Sequence, residues 1–156
     1  MSNQSSRGFT LLEILLVVAA IAILAGIVIV AINPVKQLGQ TRDAQRLTDV
    51  NTISSAIFQY YIDNEMLPSS IPLDDTLSCT DKAATSRFGI CVTGTTCSPG
   101  FRLDEDLAPD YLSVLPSDPS GSSANFTGYI AFRTSAHRVF VCAPKVETAG
   151  DIHAYR

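Results

Sequence analysis

One carboxylate, that of Glu13, stands at the head of an apolar segment that runs on from Ile14 to Ile32. An ionised group at bilayer depth is costly and calls for a partner charge supplied from elsewhere. The chain offers a source for that charge four residues earlier. Residues 1–8 are short and polar with a single positive charge at Arg7, and the apolar block follows the small residue Gly8 instead of preceding it. In an ordinary secretory signal the apolar region lies before the cleavage site and is discarded. The opposite order permits a cut between Gly8 and Phe9 that removes the leader and leaves the apolar helix on the product. Such a cut creates a positive amine on Phe9. In a bundle of parallel helices, the Glu13 carboxylate of one subunit neutralises the Phe9 amine of the next, and both charges become tolerable in an apolar core. A plain signal anchor with an incidental Glu near its cytoplasmic end is the competing reading. Arg7 fits cytoplasmic retention of the N-terminal segment in either case.

The other residues with chemistry to offer lie further on. There are 4 cysteines, Cys79, Cys91, Cys97 and Cys142, none of them in the N-terminal stretch. An even number in an exported domain of this size reads as two disulfides. No Cys-x-x-Cys pair occurs and only His137 and His153 add imidazoles, which makes zinc the weaker alternative. Of the possible connectivities, the favoured one joins Cys79 to Cys91 in a local loop and Cys97 to Cys142, because turns at Gly94 and Pro99-Gly100 set Cys97 apart from its neighbour. No enzyme constellation emerges: the histidines are isolated, the serines sit in linkers, and there is no Gly-rich phosphate loop or His-Glu metal motif. A hydrolase would need Ser, His and an acid brought together in space. Asn125-Phe126-Thr127 matches a glycosylation sequon.

These residues must be positioned by a chain of 156 residues, suited to one small domain plus an appended segment. Its 11 basic and 15 acidic residues give net −4, without the basic excess that marks nucleic-acid binding. The run from Ile14 to Ile32, at about 1.5 Å per helical residue, is long enough to cross a hydrocarbon core of about 30 Å. Gly26 with Ala22 one turn earlier would let a neighbouring helix approach closely, and the equal alternative is that Ala and Gly are simply common in such helices. At Asn33-Pro34 the pattern breaks, since Pro34 lacks an amide donor and pushes Asn33 away from helical dihedrals. The helix then resumes as an amphipathic one. Leu47, Val50, Ile53, Ile57 and Tyr60 or Tyr61 recur at steps of three and four, while Lys36, Arg42, Asp43, Arg46 and Asp49 read as a solvated or intersubunit face. Its end is expected near Asp63-Asn64-Glu65, before Leu67-Pro68 and Ile71-Pro72. Short strands follow around Ser86 to Val92, Gly128 to Arg133 and Arg138 to Ala143, the last two forming a hairpin across Thr134 to His137. Asp104 to Asp110 suggests a short acidic helix. The predicted fold class is α+β, a long stalk helix packed against a small antiparallel sheet. The expected segments are a leader 1–8, a transmembrane or filament-core helix 9–33, an amphipathic half 34–65 and a disulfide-bonded head 66–156.

Gly8, the aromatic Phe9 and Glu13 four positions further on resemble the class III leader of type IV pilins and the related pseudopilins. That resemblance implies a lollipop-shaped subunit, cleavage after Gly8 by a membrane prepilin peptidase and methylation of the Phe9 amine. It also implies partners: further copies in a helical homopolymer and the pilus assembly machinery, with the precursor in the cytoplasmic membrane, its N-terminus in the cytoplasm, and the assembled chain outside. Pilins carry helix breakers that melt locally in the filament, and Gly26, Asn33 and Pro34 are the candidates. Leu115-Pro116-Ser117-Asp118-Pro119-Ser120-Gly121 is similar to a turn of major pseudopilins, where a nearby loop binds calcium. Here Ser120 stands where an aromatic is usual, and Asp118 is the one carboxylate available among the matching residues, against the six to eight oxygens calcium takes. A rigid turn, with no cofactor, is the simpler reading. The function implied is a structural filament subunit acting in adhesion, motility or DNA uptake. A major pseudopilin of type II secretion and a minor tip pilin acting as a binding module are the alternatives. The cysteines and Ser120 favour a surface pilin.

Overall fold

A computed structural model of the chain describes residues 8–75, 78–79, 87–121 and 123–156. Residues 1–7 of the expected leader 1–8, Arg7 among them, and Ser86, which opened an expected strand, lie outside the described residues. The chain divides into two compact units, Met1–Leu38 and Gly39–Arg156.

The first unit is built on helix α1, Leu11–Ile32, 22 residues that are long and apolar enough to cross a membrane. None of its residues is buried within the chain, so its apolar surface is stabilised by whatever surrounds it. Thr10 caps its start, the hydroxyl oxygen accepting the amide of Glu13 at 3.2 Å and satisfying one of the orphan donors of the first turn. The acidic Glu13 in that turn also opposes the positive end of the helix dipole. α1 stops where the sequence predicts. Asn33 takes a left-handed conformation, φ 46° and ψ 73°, which asparagine tolerates better than most residues. Pro34 opens α2, Pro34–Asn64, at the helix position where a missing amide costs nothing. The break is held locally: the Lys36 amide donates to Asn33 Oδ1 at 3.4 Å and Gln37 Nε2 donates to the Ile32 carbonyl at 3.2 Å. α1 continues through Gly26, the other candidate for local melting in a filament. A lone glycine weakens a helix by about 1 kcal/mol relative to alanine but keeps its donor, whereas proline removes one and adds a clash.

In the second unit, β1 (Gly89–Cys91), β2 (Phe126–Arg133), β3 (Val139–Cys142) and β4 (His153–Tyr155) form one antiparallel sheet in the order β1-β2-β3-β4. The fold class is α+β as predicted. The short acidic helix α3 spans Asp104–Leu107, shorter than the expected stretch. Tyr129, Ala131, Val139 and Val141 join Val50, Ile53 and Ile57 of α2 in the main core. The alternate residues Ile130, Phe132, Phe140 and Cys142 make a second cluster with Phe88 and Cys79 on the opposite face. β2 and β3 are thus covered on both sides, which is why their sequences read as unbroken apolar runs. Burying each of the large α2 side chains contributes on the order of 1.5–3 kcal/mol.

The cysteines pair differently from the favoured connectivity. The bonds are Cys79–Cys142 and Cys91–Cys97, and no cysteine is left for zinc. The turn after Val92, closed by the Thr95 amide on the Val92 carbonyl at 3.0 Å, reverses the chain and returns Cys97 to Cys91 instead of isolating it.

Candidate functional site

Two groups of residues carry the chain's distinctive chemistry, one in each unit. In the first, Gly8 and Phe9 lie just before α1 and are exposed. Thr10 and Glu13 form the cap and first turn already described, and beyond them the helix presents an exposed apolar surface from Leu11 to Ile32.

The second group was unforeseen. Arg46, expected on a solvated face, is 0 % exposed, while Leu47, expected on the buried stripe, is 48 % exposed. Arg46 Nε donates to Asp118 Oδ2 at 2.8 Å and Nη2 to Asp118 Oδ1 at 3.1 Å, a bidentate pair. Nη1 reaches Asp43 Oδ1 at 2.8 Å and Glu147 Oε1 at 3.1 Å, and Nη2 reaches Ser120 Oγ at 3.0 Å. Arg42 Nε adds a bond to Glu147 Oε1 at 2.7 Å. Asp43 in turn accepts the Thr148 amide at 2.6 Å, the Thr148 hydroxyl at 2.7 Å and the Ala149 amide at 2.9 Å. One guanidinium therefore ties α2 to the Leu115 to Gly121 turn and to the loop around residue 148.

The backbone is shaped to allow this. A Cβ at Gly39 would lie 3.0 Å from Thr148 Cγ2, so glycine lets α2 approach that loop. Gly128 has φ +91°, and a Cβ there would stand 2.7 Å from that of Asp118, so both conformation and space require glycine beside the buried carboxylate. Hydrogen bonding to Asp118 raises the Arg46 pKa despite burial. Burial pushes the carboxyls of Asp43 and Asp118 up, but the donors of Ala149, Thr148 and Glu147 on the first, and of Arg46 and Ser120 on the second, outweigh it and hold both below the usual carboxylate range. Nearby, the Tyr129 hydroxyl donates to Asp49 Oδ2 at 2.6 Å, and burial first, then that carboxylate, raises its pKa.

These charges are spent on one another. Both Asp118 oxygens face Arg46, so a calcium ion at this turn would have to share its carboxylate with a fixed guanidinium, and the residues do not fit that ion. Among the described residues no group of three or more His, Cys, Asp or Glu is placed to hold a metal. His153 Nδ1 lies 2.9 Å from Asp151 Oδ2 and its ring stacks 5.0 Å from that of Phe140, while His137 stands in the β2–β3 turn. Asn125 of the sequon is exposed, but Thr127 is buried with its hydroxyl donating to the Ile90 carbonyl at 3.0 Å.

Residues 3–29 match the family model described as the prokaryotic N-terminal methylation motif. The chain is 30 % identical over 121 residues to a protein of Pectobacterium carotovorum subsp. carotovorum named type II secretion system core protein G, an alignment covering 78 % of this chain and 66 % of that one. It is 36 % identical over 73 residues to a protein of the same name from Klebsiella michiganensis, covering 45 % and 48 % respectively. The chain thus spans 66 % and 48 % of the lengths of these relatives. No solved structure gives a significant match.

Proposed function

This chain belongs to the type IV pilin and pseudopilin family, and from that premise we propose that it is a structural subunit of a membrane-derived filament. It is made with α1 in the cytoplasmic membrane and residues 1–8 on the cytoplasmic side. A prepilin peptidase cuts between Gly8 and Phe9, and the new Phe9 amine is methylated. The 9–33 segment then packs among copies of itself in the filament core, where Glu13 of one subunit neutralises the Phe9 amine of its neighbour. Asn33-Pro34 supplies a point of local unwinding, the remainder to residue 65 is the soluble half of the stalk, and residues 66–156 form the head outside the membrane. The role is assembly and not catalysis.

The observation that carries this reading is the order of features in residues 8–32: a small residue, an aromatic, a carboxylate in the first helical turn and then an unbroken apolar helix. Two disulfides in the head favour an exposed pilus, in adhesion, motility or DNA uptake. The shared name of the two relatives favours the second reading, a pseudopilin of a type II secretion system. Intact-mass measurement of membrane-extracted protein tests the processing step. The expected species begins at Phe9 and carries one added methyl; a chain that still begins at Met1, or one cut beyond α1, removes the basis of the proposal.

A further inference from the structure

Between α2 and the β2–β3 turn the second unit has a pocket of about 270 Å³ lined in part by Ser54, Phe58, Tyr61, Leu67, His137 and Arg156. Its aromatic wall stands open, with Phe58 and Tyr61 42 % and 40 % exposed. Ser54 is 2 % exposed, and its hydroxyl has no hydrogen-bond partner among the described residues, an unusual state for a buried polar group. Arg156 on the pocket wall, and Arg138 between the lining residues His137 and Val139, have rings for neighbours. The Arg156 guanidinium lies 5.5 Å from the Phe58 ring centre and that of Arg138 lies 5.2 Å from Tyr155, and neither forms an ion pair among the described residues. The pocket falls just below the roughly 300–1,000 Å³ of small-molecule sites and suits one branched side chain with its flanking backbone.

The chain carries a matching projection. Val114 is 62 % exposed and lies in a segment whose Asp110 is exposed and forms no ion pair among the described residues. That segment runs along a different side of α2, where Tyr111 and Leu112 line a separate depression with Thr52 and Ser55. Leu115, next to Val114, is buried, and its amide donates to Thr93 Oγ1 at 2.9 Å, which fixes the projection away from the pocket of its own chain.

We propose that the pocket receives Val114 of a second copy of this chain, with Asp110 of that copy facing Arg156 and Arg138. Apolar fit places the side chain, and the unlike charges set the register, as complementary rims do in other interfaces. The contact joins two different patches, so it can propagate from copy to copy, and it builds an open helix when the rotation between copies does not close a ring. This rests on the filament reading and names the head-to-head contact within it.

The test uses the full chain assembled with its export machinery, comparing fibre yield after shearing for Val114→Asp, Asp110→Arg, Arg156→Asp and the Asp110→Arg/Arg156→Asp pair. Each single change is expected to lower yield about tenfold or more, with unchanged thermal melting of the subunit, and the pair to recover most of the loss, the equivalent of restoring about 1.4 kcal/mol per contact. Wild-type yields from all three single variants overturn the contact while leaving the filament reading in place. Losses without recovery in the charge-swapped pair overturn the assigned register. Absence of fibres from the wild-type chain removes the filament reading, and this contact with it.

Discussion

Arg46 has no contact with water, and the charges around it are tolerable only as a set. Replacing it with methionine keeps the volume of the stem but leaves Asp118 buried without a counter-charge, which is expected to lower the unfolding free energy by about 3–5 kcal/mol. Urea titration of the disulfide-intact protein measures it. The same cluster sets an acid limit. Asp43 and Asp118 have pKa values depressed by folding, so their contribution is fully present above the ordinary carboxylate pKa of about 3.9 and is lost as pH falls through it toward their folded values. Midpoints that fall between pH 5 and pH 3 in the wild type, and fall less in Asp118→Asn, are the expected outcome; parallel curves would contradict it. The cluster was legible in part. Extending the spacing of Val50, Ile53 and Ile57 back by steps of four and three lands on Arg46 and Asp43 and misses Leu47. Residue type was allowed to override periodicity at those positions, and the position of Asp118 and Glu147, far off in sequence, gave no hint of a shared partner.

At the level of elements, the helix break and the hairpin were readable because each is local: Pro34 lacks a donor, and the apolar runs on either side of residues 134–137 are uninterrupted. β4 was missed because its three residues bury only Ala154 and carry no run of their own. The disulfides were mispaired because connectivity depends on where turns send the chain. Their consequences differ with span. Cys79–Cys142 closes 63 residues of chain and Cys91–Cys97 closes 6, and loop-closure entropy assigns about 4 kcal/mol to the first and about 2 kcal/mol to the second. Paired Cys→Ser variants compared by denaturant unfolding are expected to show the longer bond as the larger loss. The reverse order would place the stabilisation in native-state packing around Cys91 and Phe126 instead.

On the scale of the whole molecule, among the described residues α1 has no partner for its apolar surface and Glu13 has none for its charge. In the proposed filament, copies of the same helix would supply both. Glu13→Leu makes the segment more apolar, so membrane insertion is retained, while the neighbouring Phe9 amine is left unpaired at a cost of several kcal/mol in a low-dielectric core. The most direct test of the account is electron microscopy of sheared material from cells making this chain with its assembly machinery, decorated with antibody to the head. The account predicts fibres labelled along their length for the wild type and membrane-retained protein without fibres for Glu13→Leu. Wild-type protein that stays dispersed in the membrane, or Glu13→Leu fibres as abundant as wild type, would contradict it.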